Sequence, residues 1–310
     1  MRVLKVIVGT FIAGLILYFI AESLYSNWGR LQAENFKLDP FLLGLSMIAL
    51  LISWFISVWI LQRIFRSLGY ELPYSAVYSI YFRSMVGKYI PGKIWQIAGS
   101  TYLATKKGVP AGISFTAFLL GQVYSVMSGF LLVAFVFASG FSGVSEDTLL
   151  PIRWNSIAII VIIVVVSLRP KLLQKPINAI LSMFKSRSVE IDIGLHMGLE
   201  CLLLYTFCWF AFGLAFWLFI NSLTPIGFQK YVWLTAVNAG AIVIGFLSVL
   251  TPGGIGVREG TMVLLLSYTG GFSEPLPQVI AIGMRVATTV SEVISFLLTW
   301  ILGKRTAKTS

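Results

Sequence analysis

The stretch Val86–Trp95, VGKYIPGKIW, contains Gly87-Lys-Tyr-Ile-Pro-Gly92-Lys93, which fits the G-x-x-x-x-G-K opening of a phosphate-binding loop. In such a loop backbone N–H groups cradle the phosphates, and the next residue brings a hydroxyl to magnesium. Here that residue is Ile94. The loop must also follow a buried parallel strand. Residues of another kind lie late in the chain. Thr288, Thr289 and Glu292 follow Arg285 by three, four and seven positions, which puts all four on one face of a helix. Arg258 and Glu259 stand side by side just after Pro252-Gly253-Gly254-Ile255-Gly256. Arg258, Glu259, Arg285 and Glu292 are suited to holding a phosphate or relaying a proton. The plainer alternative is a Glu259–Arg285 pair that only staples two helices.

The elements that must position these residues follow from composition. Of 310 residues, 57% are hydrophobic and 11% charged, against roughly 25% charged in a soluble domain. The missing polar surface makes lipid the main solvent. Apolar runs cover Val6–Ile20, Phe41–Ile60, Ile113–Ala138, Ser156–Leu168, Leu199–Ile220, Tyr231–Leu250 and Val279–Leu302. Most reach the roughly 20 residues that cross a bilayer core. They must be helices, because lipid satisfies no backbone polar group. A strand–loop–helix nucleotide domain has no place in such a chain, so the early Gly-Lys match is not a nucleotide site.

Arg and Lys concentrate in cytoplasmic loops. Here they occur at Arg2 and Lys5, at Arg63, Arg66, Lys106 and Lys107, between Arg169 and Arg187, and at Lys304–Lys308. The stretches Glu22–Pro40, Gly140–Trp154 and Asn221–Lys230 hold few. Alternation predicts both termini in the cytoplasm and about eight spans, with Glu259–Tyr268 a short seventh. The expected fold is an all-α polytopic membrane protein. It forms one membrane domain over 1–310, with half one at 1–168, a basic cytoplasmic loop at 169–195 and half two at 196–310. The net charge of +11 is then mostly positive-inside bias and predicts no nucleic-acid partner. The first run also has the flanks of a signal peptide, but its length and the count favour a retained span. A single histidine, His196, excludes a multi-histidine metal centre, and no cofactor is expected. Cys201 and Cys208, seven apart on one helix, sit about 10 Å from each other, too far for a disulfide.

The two Pro-Gly segments occupy matching places in the halves. Pro91-Gly92-Lys93-Ile94 and Pro252-Gly253-Gly254-Ile255 are 161 residues apart. Each follows the second span of its half. Segments broken this way in both halves point to a transporter's central site. The arms around Pro91 are each too short to cross, which predicts either a re-entrant hairpin or an amphipathic pair lying in the interface. With eight spans the halves are parallel repeats; they are inverted if the seventh belongs to a hairpin. Freed N–H groups after Pro252-Gly253-Gly254 would face a cavity and favour an anion, with Arg258 in the first turns and Lys88 and Lys93 flanking the early break.

The remaining polar residues read more modestly. Ser46, Ser53 and Ser57, and Thr235, suit helix packing, while Gln122 and Asn238 are candidates to line a cavity. The aromatic crowd Tyr205–Phe219 is expected to face lipid. Glu200 is placed to pair with a basic residue of the central loop, and Glu146 and Asp147 to be solvated outside.

With GKYIPGKIW early, TPGGIGVREG late and a basic central loop, the whole chain resembles the lysylphosphatidylglycerol synthase transmembrane-region family, the flippase-like domain of the multiple peptide resistance factor. The resemblance implies handling or translocation of lipid-linked substrates, with Pro91, Gly92, Pro252, Gly253, Gly254, Gly256 and Glu259 at the centre. Two departures stand out. These residues contain no soluble aminoacyl-transferase domain, so lysine transfer is not implied. Relatives often carry an acidic residue just after the early Pro-Gly, where this chain has Trp95-Gln96. The first expectation is a non-enzymatic flippase-like protein of the cell membrane, running downhill or on a proton gradient. It would bind an anionic phospholipid or a polyprenyl-phosphate-linked lipid. The substrate-binding set is Lys88, Pro91, Gly92, Lys93, Pro252, Gly253, Gly254, Gly256, Arg258, Glu259, Arg285 and Glu292, with no catalytic or metal residue. The alternatives are a non-catalytic membrane partner that recruits a glycosyltransferase, and an integral membrane transferase acting on a lipid-linked donor. Homo-oligomerisation is compatible with each.

Overall fold

The computed structural model describes residue 25 and residues 38–89, 94–140, 146–183, 195–248, 251–269 and 272–306. The run Val6–Ile20 and the residues Pro91, Gly92 and Lys93 lie outside them. All regular structure in the described residues is helical: α1 (Pro40–Ser67), α2 (Tyr74–Met85), α3 (Ile94–Thr105), α4 (Ala111–Ser139), α5 (Glu146–Leu168), α6 (Gln174–Met183), α7 (Leu195–Asn221), α8 (Tyr231–Leu247), α9 (Val257–Thr269) and α10 (Leu276–Thr306). Short 3-10 turns at Val86–Tyr89 and Pro252–Gly254 mark the two breaks.

The sequence sets the ends of α1 clearly. The Asp39 carboxylate accepts the N–H groups of Phe41 and Leu42 at 2.8 and 3.2 Å, and Pro40 takes the first helical position. Five helices are long and apolar enough to cross a membrane: α1, α4, α7, α8 with the turn before it, and α10. α5 and α6 meet at a 95° bend and make a sixth if taken as one span. Large apolar side chains point outward from these helices, among them Ile48, Ile52, Leu203, Phe207, Leu297 and Trp300. Such a surface suits lipid and not water.

The predicted seventh span at Glu259–Tyr268 is α9. It has 13 residues and folds back along α8. A methyl group placed on Gly245 of α8 would lie 2.8 Å from Cβ of Arg258, so the two arms are in close contact. The early segment does the same. α2 and α3 pack together, and a methyl on Gly87 would come within 2.7 Å of the Trp95 and Gln96 backbone. Of the two forms expected for this segment, it is a hairpin within the bundle: Val77, Tyr78 and Phe82 are buried, and α2 packs on α1 and α10.

The halves are related by a two-fold operation that takes α1–α4 onto α7–α10. α2 packs on α10 as α8 packs on α4; α3 packs on α4 as α9 packs on α10. α1 packs on its equivalent α7, and the pair is antiparallel. Asp39 N–H donates to the Ser222 carbonyl (2.8 Å), Ser46 to that of Ala215 (2.7 Å), Ser57 meets Cys208 Sγ (3.2 Å), and Arg63 pairs with Glu200. One chain's numbers rise as the other's fall. Equivalent helices that oppose each other make the repeats inverted, not parallel as the eight-span count predicts. The reason is physical: α9 returns along α8, so the second hairpin contributes no separate span. The hairpins therefore enter from opposite ends of the bundle, and their tips, Val86–Tyr89 and Pro252–Gly254, touch.

The serine stripe of α1 is packing glue as expected, seated on α7. The aromatic crowd of α7 departs from expectation. Tyr205, Trp209, Phe212, Phe216 and Phe219 are buried, because the face of α7 that carries them packs on α1, α4 and α8; Leu203 and Phe207 on its other side are exposed. Among the described residues Glu200 pairs with Arg63 of α1, with His196 3.8 Å away; Lys185 and Arg187 of the central loop lie outside them. The antiparallel α1–α7 contact brings Arg63 within reach.

Gly254 closes the second tip. Its φ is +68°, and a methyl there would stand 2.5 Å from the Gly245 carbonyl oxygen. Gly254→Ala should therefore destabilise the protein by about 1–3 kcal/mol. Thermal unfolding in detergent checks this, and an unchanged midpoint would contradict the close approach.

Candidate functional site

A cavity of about 200 Å³ lies beside the touching tips. The charged end is built from three elements. The first tip brings Lys88. The start of α9 brings Arg258 and Glu259. The face of α10 read from spacing brings Arg285, Thr288 and Glu292.

Each charge is held. Lys88 Nζ donates to Glu292 Oε1 at 2.5 Å. Arg285 donates from both terminal nitrogens to the Gly253 carbonyl at 3.3 Å and lies 3.4 Å from Glu259 Oε1. Arg258 Nη2 donates to Thr288 Oγ1 at 3.4 Å, and the Thr288 hydroxyl donates to the Met284 carbonyl at 2.7 Å. The paired side chains are 4–22% exposed, so little water screens them. Three cations stand against two carboxylates among the described residues of this cluster.

Glu259 has a second task. It is the third residue of α9, and its Oε2 accepts the Gly256 N–H at 2.6 Å. That is the reach-back half of a capping box. The turn needs Gly256, whose φ is +85°. The sequence predicts N–H groups after the glycines open to an anion; the Gly256 N–H is instead taken by the chain's own carboxylate. Anion recognition here falls to side chains.

The rest of the wall is aromatic. Trp54, Tyr81, Phe118, Tyr205, Trp209 and Phe212 line it. Trp54 meets Phe212 edge-on at 5.0 Å and donates its N–H to Ser291 Oγ at 3.0 Å. Trp209 donates to the Ser125 carbonyl and to Ser128 Oγ at 3.0 and 3.1 Å. These bonds lock the indoles in place. The neutral polar residues Gln96, Gln122, Ser125 and Asn238 also line the cavity.

The structure thus gathers Lys88, Gly253, Arg258, Arg285 and Glu292 on the cavity, with Glu259 behind Arg285 and Gly254 and Gly256 shaping the turn. Pro252 opens that turn. Pro91, Gly92 and Lys93 fall outside the described residues. Glu146 and Asp147 open α5, away from this cluster in sequence and fold; their side chains are not described. Sequence reasoning missed the Lys88–Glu292 link, since 204 residues separate the partners. It also missed the aromatic wall, because a Trp or Phe on a long apolar helix gives no sign of which neighbour it faces.

No curated protein matches the chain. The sequence profile described as Lysylphosphatidylglycerol synthase TM region matches residues 3–295, and so takes in both hairpins, their touching tips and every charged residue of the cavity. By that span, the chain belongs to the lysylphosphatidylglycerol synthase TM region family of membrane proteins.

Proposed function

We propose that the protein is a flippase-like transporter of the cell membrane that binds an anionic phospholipid or a polyprenyl-phosphate-linked lipid at the junction of its two hairpins. One observation carries this reading: Lys88, Arg258 and Arg285 all line one cavity whose wall is otherwise largely apolar and aromatic. Ionisable groups at membrane depth are costly and mark substrate paths. An anion with an apolar body matches both parts of such a lining. Inverted repeats with broken helices at the centre suit alternating access from either side. In this reading both termini lie in the cytoplasm, and the protein moves lipid without making or breaking a bond.

The test is native mass spectrometry of the purified protein with identification of retained lipids. Wild type is expected to keep an anionic lipid class, and Arg258→Gln to lose it while still inserting as a monodisperse protein. Equal, indifferent lipid retention in both would remove Arg258 from the site and turn attention to a recruiting role for the protein.

A further inference from the structure

One neutral side chain on the cavity wall has no hydrogen-bond partner among the described residues. Asn238 of α8 is fully buried on the cavity wall. Among the described residues neither its amide nitrogen nor its carbonyl oxygen has a hydrogen-bond partner. Buried polar atoms are nearly always paired, and a specific exception calls for a reason. Several other polar side chains that line the same cavity are already in use. The indole N–H of Trp54 goes to Ser291, and that of Trp209 to Ser125 and Ser128. The Thr235 hydroxyl, three residues earlier, donates to the Tyr231 carbonyl. Ser57 donates to the Ser53 carbonyl. The Asn238 amide thus asks the contents of the cavity for both a donor and an acceptor. A hydroxyl is both.

The spacing to the charged end is short. Asn238 and Gly245 are seven residues apart on α8, about 10 Å along the axis. Gly245 packs on Arg258. A phosphate joined to a glycerol or to one sugar ring fits that interval.

We propose that Asn238 selects a hydroxyl-bearing headgroup. The cavity takes a lipid phosphodiester of a polyol or sugar, with its phosphate toward Lys88, Arg258 and Arg285 and a hydroxyl on the Asn238 amide. The inference rests on the anion-site reading above. The apolar, aromatic wall assigns the phosphate to a lipid and not to a free phosphate ester.

The experiment offers the purified protein equal amounts of phosphatidylmethanol and either phosphatidylglycerol or phosphatidylinositol, all with the same acyl chains. All are phosphodiesters of one negative charge, and only the latter two carry headgroup hydroxyls. Retained lipid is read by native mass spectrometry. Wild type should keep at least one hydroxylated lipid about tenfold over phosphatidylmethanol, the scale of one or two hydrogen bonds. In Asn238→Leu that ratio should fall to near one. Asn238→Ala gives the same reading should leucine fail to pack. Arg258→Gln should lower retention of all three. Equal retention by wild type overturns the hydroxyl role while the phosphate site stands. So does an Asn238→Leu or Asn238→Ala protein that keeps the preference, since the amide would then hold only water. Retention of none overturns both readings. Displacement of bound lipid by millimolar glycerol 1-phosphate would reassign the site to a free phosphate ester.

Discussion

Glu259→Gln is expected to lower stability by about 3–5 kcal/mol, the scale for removing one partner of a buried ion pair. Glutamine keeps an oxygen for the Gly256 N–H, so the cap of α9 survives. What is lost is the negative charge beside Arg285, whose other hydrogen-bond partner among the described residues is the Gly253 carbonyl. A guanidinium left so is costly in a site that is mostly buried. Arg285→Gln should weaken the protein similarly and also free the Gly253 carbonyl of the second tip. The exchange Glu259→Arg with Arg285→Glu restores the pair but not the cap. It should be more stable than either reversal alone and less stable than wild type. A double-mutant cycle on thermal unfolding in detergent measures the coupling. Additive losses would mean that Glu259 acts through the cap alone, and the pair would drop out of the account of what holds the tip.

The helical membrane fold was legible because its signal is compositional: long runs without charge permit nothing else. The α10 face was legible because Arg285, Thr288, Thr289 and Glu292 repeat at helical spacing within one unbroken element. The late Pro-Gly segment marked one of the two tips that meet beside the cavity, while Pro91 and Gly92 of the early one lie outside the described residues. Direction was not legible. Whether Glu259–Tyr268 crosses or turns back depends on how α9 packs against α8, and Gly245 settles that by admitting Arg258. A glycine in a run of apolar residues announces no partner. The fate of the Gly256 N–H was equally hidden. The sequence places a glutamate three residues on, but only the positive φ of the turn brings its carboxylate back to the N–H instead of out to the cavity. Lys88 was readable as a flank of a break, while its acceptor lay on the last helix, beyond the reach of local spacing.

That acceptor leads to the second large expectation, whose sign is opposite to that of Arg258→Gln: Glu292→Gln should tighten anionic-lipid binding by about tenfold or more, equivalent to at least 1.4 kcal/mol. The 2.5 Å contact makes Glu292 the group that a phosphate must displace to reach Lys88. Removing its charge takes away an anionic partner of the ammonium and leaves three cations facing one carboxylate among the described residues of the cluster. The gain should depend on Lys88, so Lys88→Gln in the same chain should cancel it. Lipid titration followed by native mass spectrometry measures both. Transport should move the other way. A carrier that holds its cargo too firmly releases it slowly, so Glu292→Gln should scramble a labelled anionic lipid between leaflets more slowly than wild type does. Weaker binding in Glu292→Gln would show that the carboxylate aims Lys88 at the ligand and does not compete with it. The two outcomes separate a latch from a brace, because a latch opposes the ligand for the same ammonium and a brace serves it. Lys88 on one tip and Glu292 on α10 then join hairpin movement to cargo: as a phosphate takes the lysine, the first hairpin loses its tie to the last helix.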